Sequence, residues 1–291
     1  MADISVLQAR EIFTQTRIDV FKERVKVMSF LRSFFPDVIG NSKYLTLDVQ
    51  RGTEKVAVDI FRGTEGNRNS VSKSSWKGFL PPYFREFIDA TEIDLYDRLF
   101  SESGIISGTD LAAFITAVND EMNLLVDKIE RAYELQCAQV LSTGIVSLNS
   151  GDNIDFKRKA ESMVDLMTGN YWDTGSVDPR VALQAGGDFL RQVGKAQGGV
   201  LNVLLGSEVL SVLLNNDTFK ASSDLKNISL GEIHMPQRNS LGATLHGRVS
   251  AGTYICNLWA YPEVYDNTAG DSTPYIAPKE VIMLPEIPRF K

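Results

Sequence analysis

One uninterrupted helical pattern limits what this chain can become. Leu111, Phe114, Ile115, Val118, Met122, Leu125, Ile129, Leu135, Ala138 and Leu141 recur at helical spacing with no proline and no internal glycine. Ser107 or Thr109 offers a cap and Gly144 a stop, so the spacing predicts a helix over about 109–143. At ~1.5 Å per residue such a helix reaches about 50 Å, more than the width of a compact domain of this size. It must run along the molecule as a spine, with other elements laid against it.

The flanking segments read differently. Val6, Ala9, Ile12 and Phe13, then Val20, Val25, Met28 and Leu31, predict a short amphipathic helix followed by a looser arm that Pro36 ends. Tyr44, Leu45, Leu47 and Val49, and then Val56, Val58 and Ile60, alternate with polar residues, the period-two signature of two strands joined through Arg51-Gly52-Thr53. Arg62 to Gly78 is polar and glycine-containing, which predicts a projecting loop. After the long helix come a hairpin (Ile145 to Leu148, Ile154 to Phe156) and a helix capped by Asp178 with Pro179 in its first turn. A strand Val200 to Leu205, a helix Ser207 to Leu214 and a polar excursion Lys220 to Asn239 follow. Strands Ala243 to Val249, Tyr254 to Ala260 and Glu280 to Leu284 complete a mixed α/β module.

Chemistry is sparse. His234 and His246 are the only histidines, and neither has a second ligand at the three- or four-residue spacing of a helix-face metal site. His234 reads as a loop residue and His246 as a strand residue, both surface histidines. Nucleophile-elbow, phosphate-loop and dinucleotide signatures are missing. Gly186-Gly187 reads as close packing of a helix. Cys137 and Cys256 read as small buried hydrophobes. No catalytic, cofactor-binding or metal-ligating residue is assigned, no cofactor is implied, and the chain is read as not an enzyme. With 43% hydrophobic and 23% charged residues the composition is globular, and neither a membrane span nor a secretory leader is recognised, so a soluble intracellular protein is expected.

Charge is unevenly distributed. The net charge of −7 argues against broad neutralisation of DNA phosphates. Arg51, Lys55, Arg62, Arg68, Lys73 and Lys77 outnumber three acids between 51 and 78, whereas eleven acids between Glu86 and Glu130 meet only Arg98 and Lys128. A basic loop and an acidic helix in one chain suit head-to-tail association, each subunit's loop lying on the next subunit's helix. The expected contact residues are Arg51, Lys55, Arg62, Arg68, Lys73, Trp76 and Lys77 on the loop, and Asp110, Asp120, Glu121, Asp127 and Glu130 on the spine.

Four pieces now resemble a family. They are Phe30-Leu31-Arg32-Ser33-Phe34-Phe35-Pro36 followed by Lys43-Tyr44-Leu45; the strand-loop-strand unit running into Pro81-Pro82-Tyr83; Ile129-Glu130-Arg131-Ala132-Tyr133-Glu134 through Val140-Leu141-Ser142-Thr143-Gly144; and Trp172 followed by Asp178-Pro179. In order and spacing they resemble the lambda-type E-protein family of tailed-phage major capsid proteins. The resemblance implies an α+β chain of the Hong Kong ninety-seven fold. It implies an N-terminal arm at 1–42, an extended loop at 43–82, a peripheral domain at 83–172, an axial domain at 173–275 and a return strand toward the peripheral domain at 276–291. Axial domains would meet around five- and six-fold axes through the stretch Lys220 to Asn239. The short arm implies a separate scaffolding protein, and nothing selects Lys73 or Lys77 for chemical crosslinking.

The resulting expectation is a major capsid protein of a tailed bacteriophage, assembled in the host cytoplasm. Its hexamers and pentamers would close into an icosahedral virion shell around double-stranded DNA, with scaffolding, portal and decoration proteins as partners and no membrane. The alternatives are an encapsulin-like nanocompartment shell of the same fold and, furthest off, an α/β enzyme.

Overall fold

The computed structural model describes residues 26–37, 45–49, 75–79, 82–87, 108–148, 153–167, 169–196, 198–223 and 231–286. Helix α1 (Gly108–Ser142) is 35 residues long, as its unbroken periodicity requires. Two compact units divide the chain, residues 1–27 with 88–128 and residues 28–87 with 129–291, and α1 contributes to both. Its C-terminus is closed twice over. Gly144, at φ +74°, donates to the Val140 carbonyl at 3.0 Å. The Arg158 guanidinium then donates to the last-turn carbonyls of Leu141 and Ser142, the latter at 2.6 Å. A side chain at 144 would meet Arg158 Cβ at 2.6 Å, so glycine permits both the backbone turn and the close cap.

After α1 come the short antiparallel strands β3 (Ile145–Ser147) and β4 (Asn153–Asp155). A five-stranded mixed sheet of β5 (Val200–Leu205), β6 (Gly231–Arg238), β7 (Thr244–Ala251), β8 (Tyr254–Ala260) and β11 (Val281–Pro285) organises the larger unit, in the order β11-β5-β8-β7-β6. Only β5 and β8 run parallel. Alternation along β5 divides its side chains between two cores, which is why Val200–Leu205 reads as an apolar run. Leu201, Val203 and Leu205 pack with Leu183 of α2 (Pro179–Gln192), Leu213 of α3 (Val209–Asn215) and Phe219 of α4 (Asp217–Ser223). Leu204 on the opposite face joins Ile282 and Leu284 of β11, Ala138 and Leu141 of α1, and Phe30 and Leu31 of the arm. Asp178 caps α2 by accepting the Arg180 N–H at 3.0 Å, with Pro179 at the first position. Gly186 and Gly187 do serve close packing: a Cβ there would lie 2.5 Å from Met283 Sδ and 2.6 Å from the Tyr254 ring.

Several expectations are corrected. β1 (Leu45–Val49) pairs antiparallel with β2 (Ser75–Phe79), Leu45 opposite Phe79, while the anticipated partner at 56–60 lies outside the described residues. Period-two alternation marks a strand but does not say which run supplies its hydrogen bonds. The polar excursion 220–239 holds the end of α4 and all of β6, so His234 lies in a strand. β6 is an edge strand, where Pro236 and polar residues are tolerated and the apolar alternation that betrays a strand is weak. The short hairpin of β9 (Val264–Asp266) and β10 (Ser272–Pro274) was not anticipated. The last strand hydrogen-bonds along β5 with Ile282 opposite Leu204.

Candidate functional site

The arm is fastened to the spine by a cluster that the sequence builds from three separate regions. Glycine at 242, with φ +98°, lets Met28 pass: a Cβ at 242 would stand 2.7 Å from Met28 Cβ. The chain then makes a 3-10 turn at Arg32–Phe34, and Phe30 and Leu31 become buried. Phe30 packs edge-on to Phe34 at 5.2 Å and against Trp259 and Tyr261 at 5.3 and 5.7 Å.

At the centre lies Glu134 of α1, with no exposed surface. Its Oε1 accepts the Leu31 N–H and the Tyr261 hydroxyl, each at 2.8 Å, and its Oε2 accepts the Arg32 N–H at 3.0 Å. Burial pushes the Glu134 carboxyl above its ordinary range, against the opposing pull of these donors. The Tyr261 phenol is pushed up by burial and by the Glu134 charge, and Tyr275 is raised by the same causes to about 12. One turn earlier, Glu130 ion-pairs with the Arg32 guanidinium, which also reaches Asp37 at 3.3 Å. Arg32 lies over the Tyr133 ring at 5.2 Å, and Tyr133 meets Phe84 edge-on at 5.5 Å. Spaced four apart, Glu130 and Glu134 grip one arm residue by side chain and backbone respectively. The enclosed carboxylate acts as a clamp, joining α1 to Leu31, Arg32 and Tyr261.

The anticipated contact residues are distributed as follows. Arg51, Lys55, Arg62, Arg68 and Lys73 lie outside the described residues. Trp76 and Lys77 stand on β2, opposite Asp48 and Leu47 of β1. Asp110 lies in the first turn of α1, Asp120 is exposed, Glu121 is half-buried and Asp127 is buried. At about 100° per residue these acids with Glu130 span half the helix circumference, Glu121 and Glu130 at its opposite edges. Glu130 is engaged by Arg32 of its own chain.

Glu134 and Tyr261 were missed. The available signal was position: Glu134 stands four and seven residues before Ala138 and Leu141, on the stripe that α1 buries. Cys256 is buried, as read, whereas Cys137 is half-buried beside the α1 core; burial raises the Cys137 thiol to about 12 and the Cys256 thiol to about 11. Among the described residues, no group of three or more potential ligands could hold a metal ion, and no helix is long and apolar enough to cross a membrane.

Comparison with known proteins supplies the context for this geometry. A family model described as phage major capsid protein E matches residues 18–290. No curated protein matches the chain. Solved structures that resemble it include a crystal structure of a candidate capsid protein of a prophage of E. coli CFT073, at 13% identity and a TM-score of 0.44. That match covers 83% of this chain, which spans 58% of the other protein's length.

Proposed function

The chain belongs to the phage major capsid protein E family, and from that premise we propose that its copies associate as hexamers and pentamers into an icosahedral virion shell around double-stranded DNA. The family match over nearly the whole chain carries this reading. The mixed helix-and-sheet architecture with a 35-residue spine is compatible with the Hong Kong ninety-seven fold. In that fold an arm (1–42) and an extended loop (43–82) reach out from a peripheral domain (83–172) and an axial domain (173–275). A net charge of −7 favours enclosing a polyanion without adsorbing it tightly. A scaffolding protein and a portal are its proposed partners, with a decoration protein as an optional third, and assembly takes place in the host cytoplasm.

Within the shell, the basic loop residues Arg51, Lys55, Arg62, Arg68 and Lys73, with Trp76 and Lys77, lie on the spine of the next subunit. The receiving acids are Asp110, Asp120, Glu121 and Asp127, while Glu130 serves the arm. Electron microscopy of the protein, expressed alone and with neighbouring structural genes, tests the reading. Capsomers or closed shells are the expected result, and a uniform monomer or dimer under every condition overturns it. Reversing Arg62, Arg68 and Lys73 together should abolish shells while leaving folded subunits; normal shells from that variant would remove the loop-on-spine contact.

A further inference from the structure

Residues 163–167 carry an apolar strip that is left exposed among the described residues. Met163, Val164, Leu166 and Met167 are 49%, 74%, 37% and 78% exposed. Scattered exposed apolar residues are ordinary, but four within five positions form a patch of the kind that marks a protein contact. The strip is held at both ends. On one side Arg158, the residue that caps α1, donates to Ser162 Oγ at 2.9 Å and to the Ser162 carbonyl at 3.2 Å. On the other, Trp172 is buried in the core beneath the sheet, and its carbonyl accepts the Asn216 side-chain amide at 2.9 Å. The apolar segment is therefore exposed but anchored at two points.

The charges around it point to which partner. Lys159 precedes the strip and Asp165 lies inside it, both exposed, and neither forms an ion pair among the described residues. With Lys159 before the strip, Glu161 two residues on and Asp165 within it, the segment carries both signs of charge, and either a two-fold or a head-to-tail arrangement brings Lys159 of one copy to Asp165 of the next. Its apolar content suits repeated use in unlike settings. Met163 and Met167 have flexible, polarisable side chains that repack against neighbours of slightly different orientation, as subunits of pentamers and hexamers require.

We propose that residues 159–167 form a contact between copies of this chain, in which Val164 and Met167 are buried and Lys159 pairs with Asp165 of the neighbouring copy. The proposal rests on the capsid reading and adds a contact to it. Through Arg158 this contact connects directly to the end of the spine helix, independently of the arm clamp.

The test is made on the full chain by sedimentation velocity and electron microscopy, with wild type prepared in parallel. Val164→Asp combined with Met167→Asp should leave the subunit's circular dichroism and melting unchanged and lower the assembled fraction on the order of tenfold or more. Lys159→Glu and Asp165→Lys should each reduce assembly, and the two together should restore it. Wild-type-like assembly of the double aspartate variant overturns the contact while the capsid reading stands. A combined charge exchange no better than its single components overturns the pairing. Failure of the wild type to assemble under any condition removes the capsid reading, and this contact with it.

Discussion

Replacing Glu134 by alanine removes the one group that accepts from Leu31 N–H, Arg32 N–H and the Tyr261 hydroxyl inside a buried site. Each donor left unpaired costs about 1–3 kcal/mol. Relief of a buried charge and entry of water offset part of the total, so a net loss of about 3–5 kcal/mol is expected, the range found when one partner of a buried ionic network is deleted. Glu134→Gln retains one acceptor oxygen but turns an amide toward one of the donors, and should cost less, about 1–3 kcal/mol. Urea unfolding of the unassembled subunit gives the free energies, and hydrogen exchange at Leu31 and Arg32 reports the clamp locally. A Glu134→Ala subunit within about 0.5 kcal/mol of wild type, with both amides still protected, would refute the argument that this carboxylate holds the arm.

The remaining predictions are more local. Because the folded chain holds the Glu134 proton to higher pH than the unfolded chain does, unfolding releases a proton in the window above the ordinary carboxylate range; this part of the stability is greatest at acid pH and falls as pH rises through that window, and a Glu134→Gln subunit should lack the slope in its urea midpoints. Gly144→Ala forces a side chain into a left-handed backbone and against Arg158, and should lower stability by about 1–3 kcal/mol; a neutral result in calorimetry would contradict the tight cap. Cys137 and Cys256 should react with an aromatic disulfide at pH 8 only when the subunit unfolds, and rapid labelling of the folded protein would show that they are less enclosed than described.

The elements legible in the sequence are those in which burial follows one clean period. α1 was plain from its apolar stripe and glycine stop, and α2 from Asp178-Pro179. β5, β7 and β8 were legible because they occupy the middle of a sheet packed on one or both faces. β6 was hidden because an edge strand needs no alternating face, and the β1 partner because pairing is a relation between segments that periodicity does not record. The clamp was invisible for a further reason. A carboxylate in a helix reads as solvent-facing, and only the positions of Ala138 and Leu141 place Glu134 on the inside; the donors that make its burial tolerable come from the arm and from Tyr261, far away in the chain. A count of charges along α1 likewise does not record the turn of the helix that sets Glu121 and Glu130 at opposite edges of the acidic face.

The order of strands in the sheet bears on when a subunit becomes usable. β5 lies between β8 and β11, and both are synthesised after it. The seat for Leu31, although Leu31 itself is made early, includes Tyr261, Ile276, Ile282 and Leu284. A nascent chain therefore cannot fix its arm until β8 and β11 have been made and have closed around β5. Fragments that stop short of β11 would leave an open sheet edge and a loose arm. Under the proposed shell function this amounts to proofreading by topology: an arm held on α1 certifies that β8 and β11 have been made.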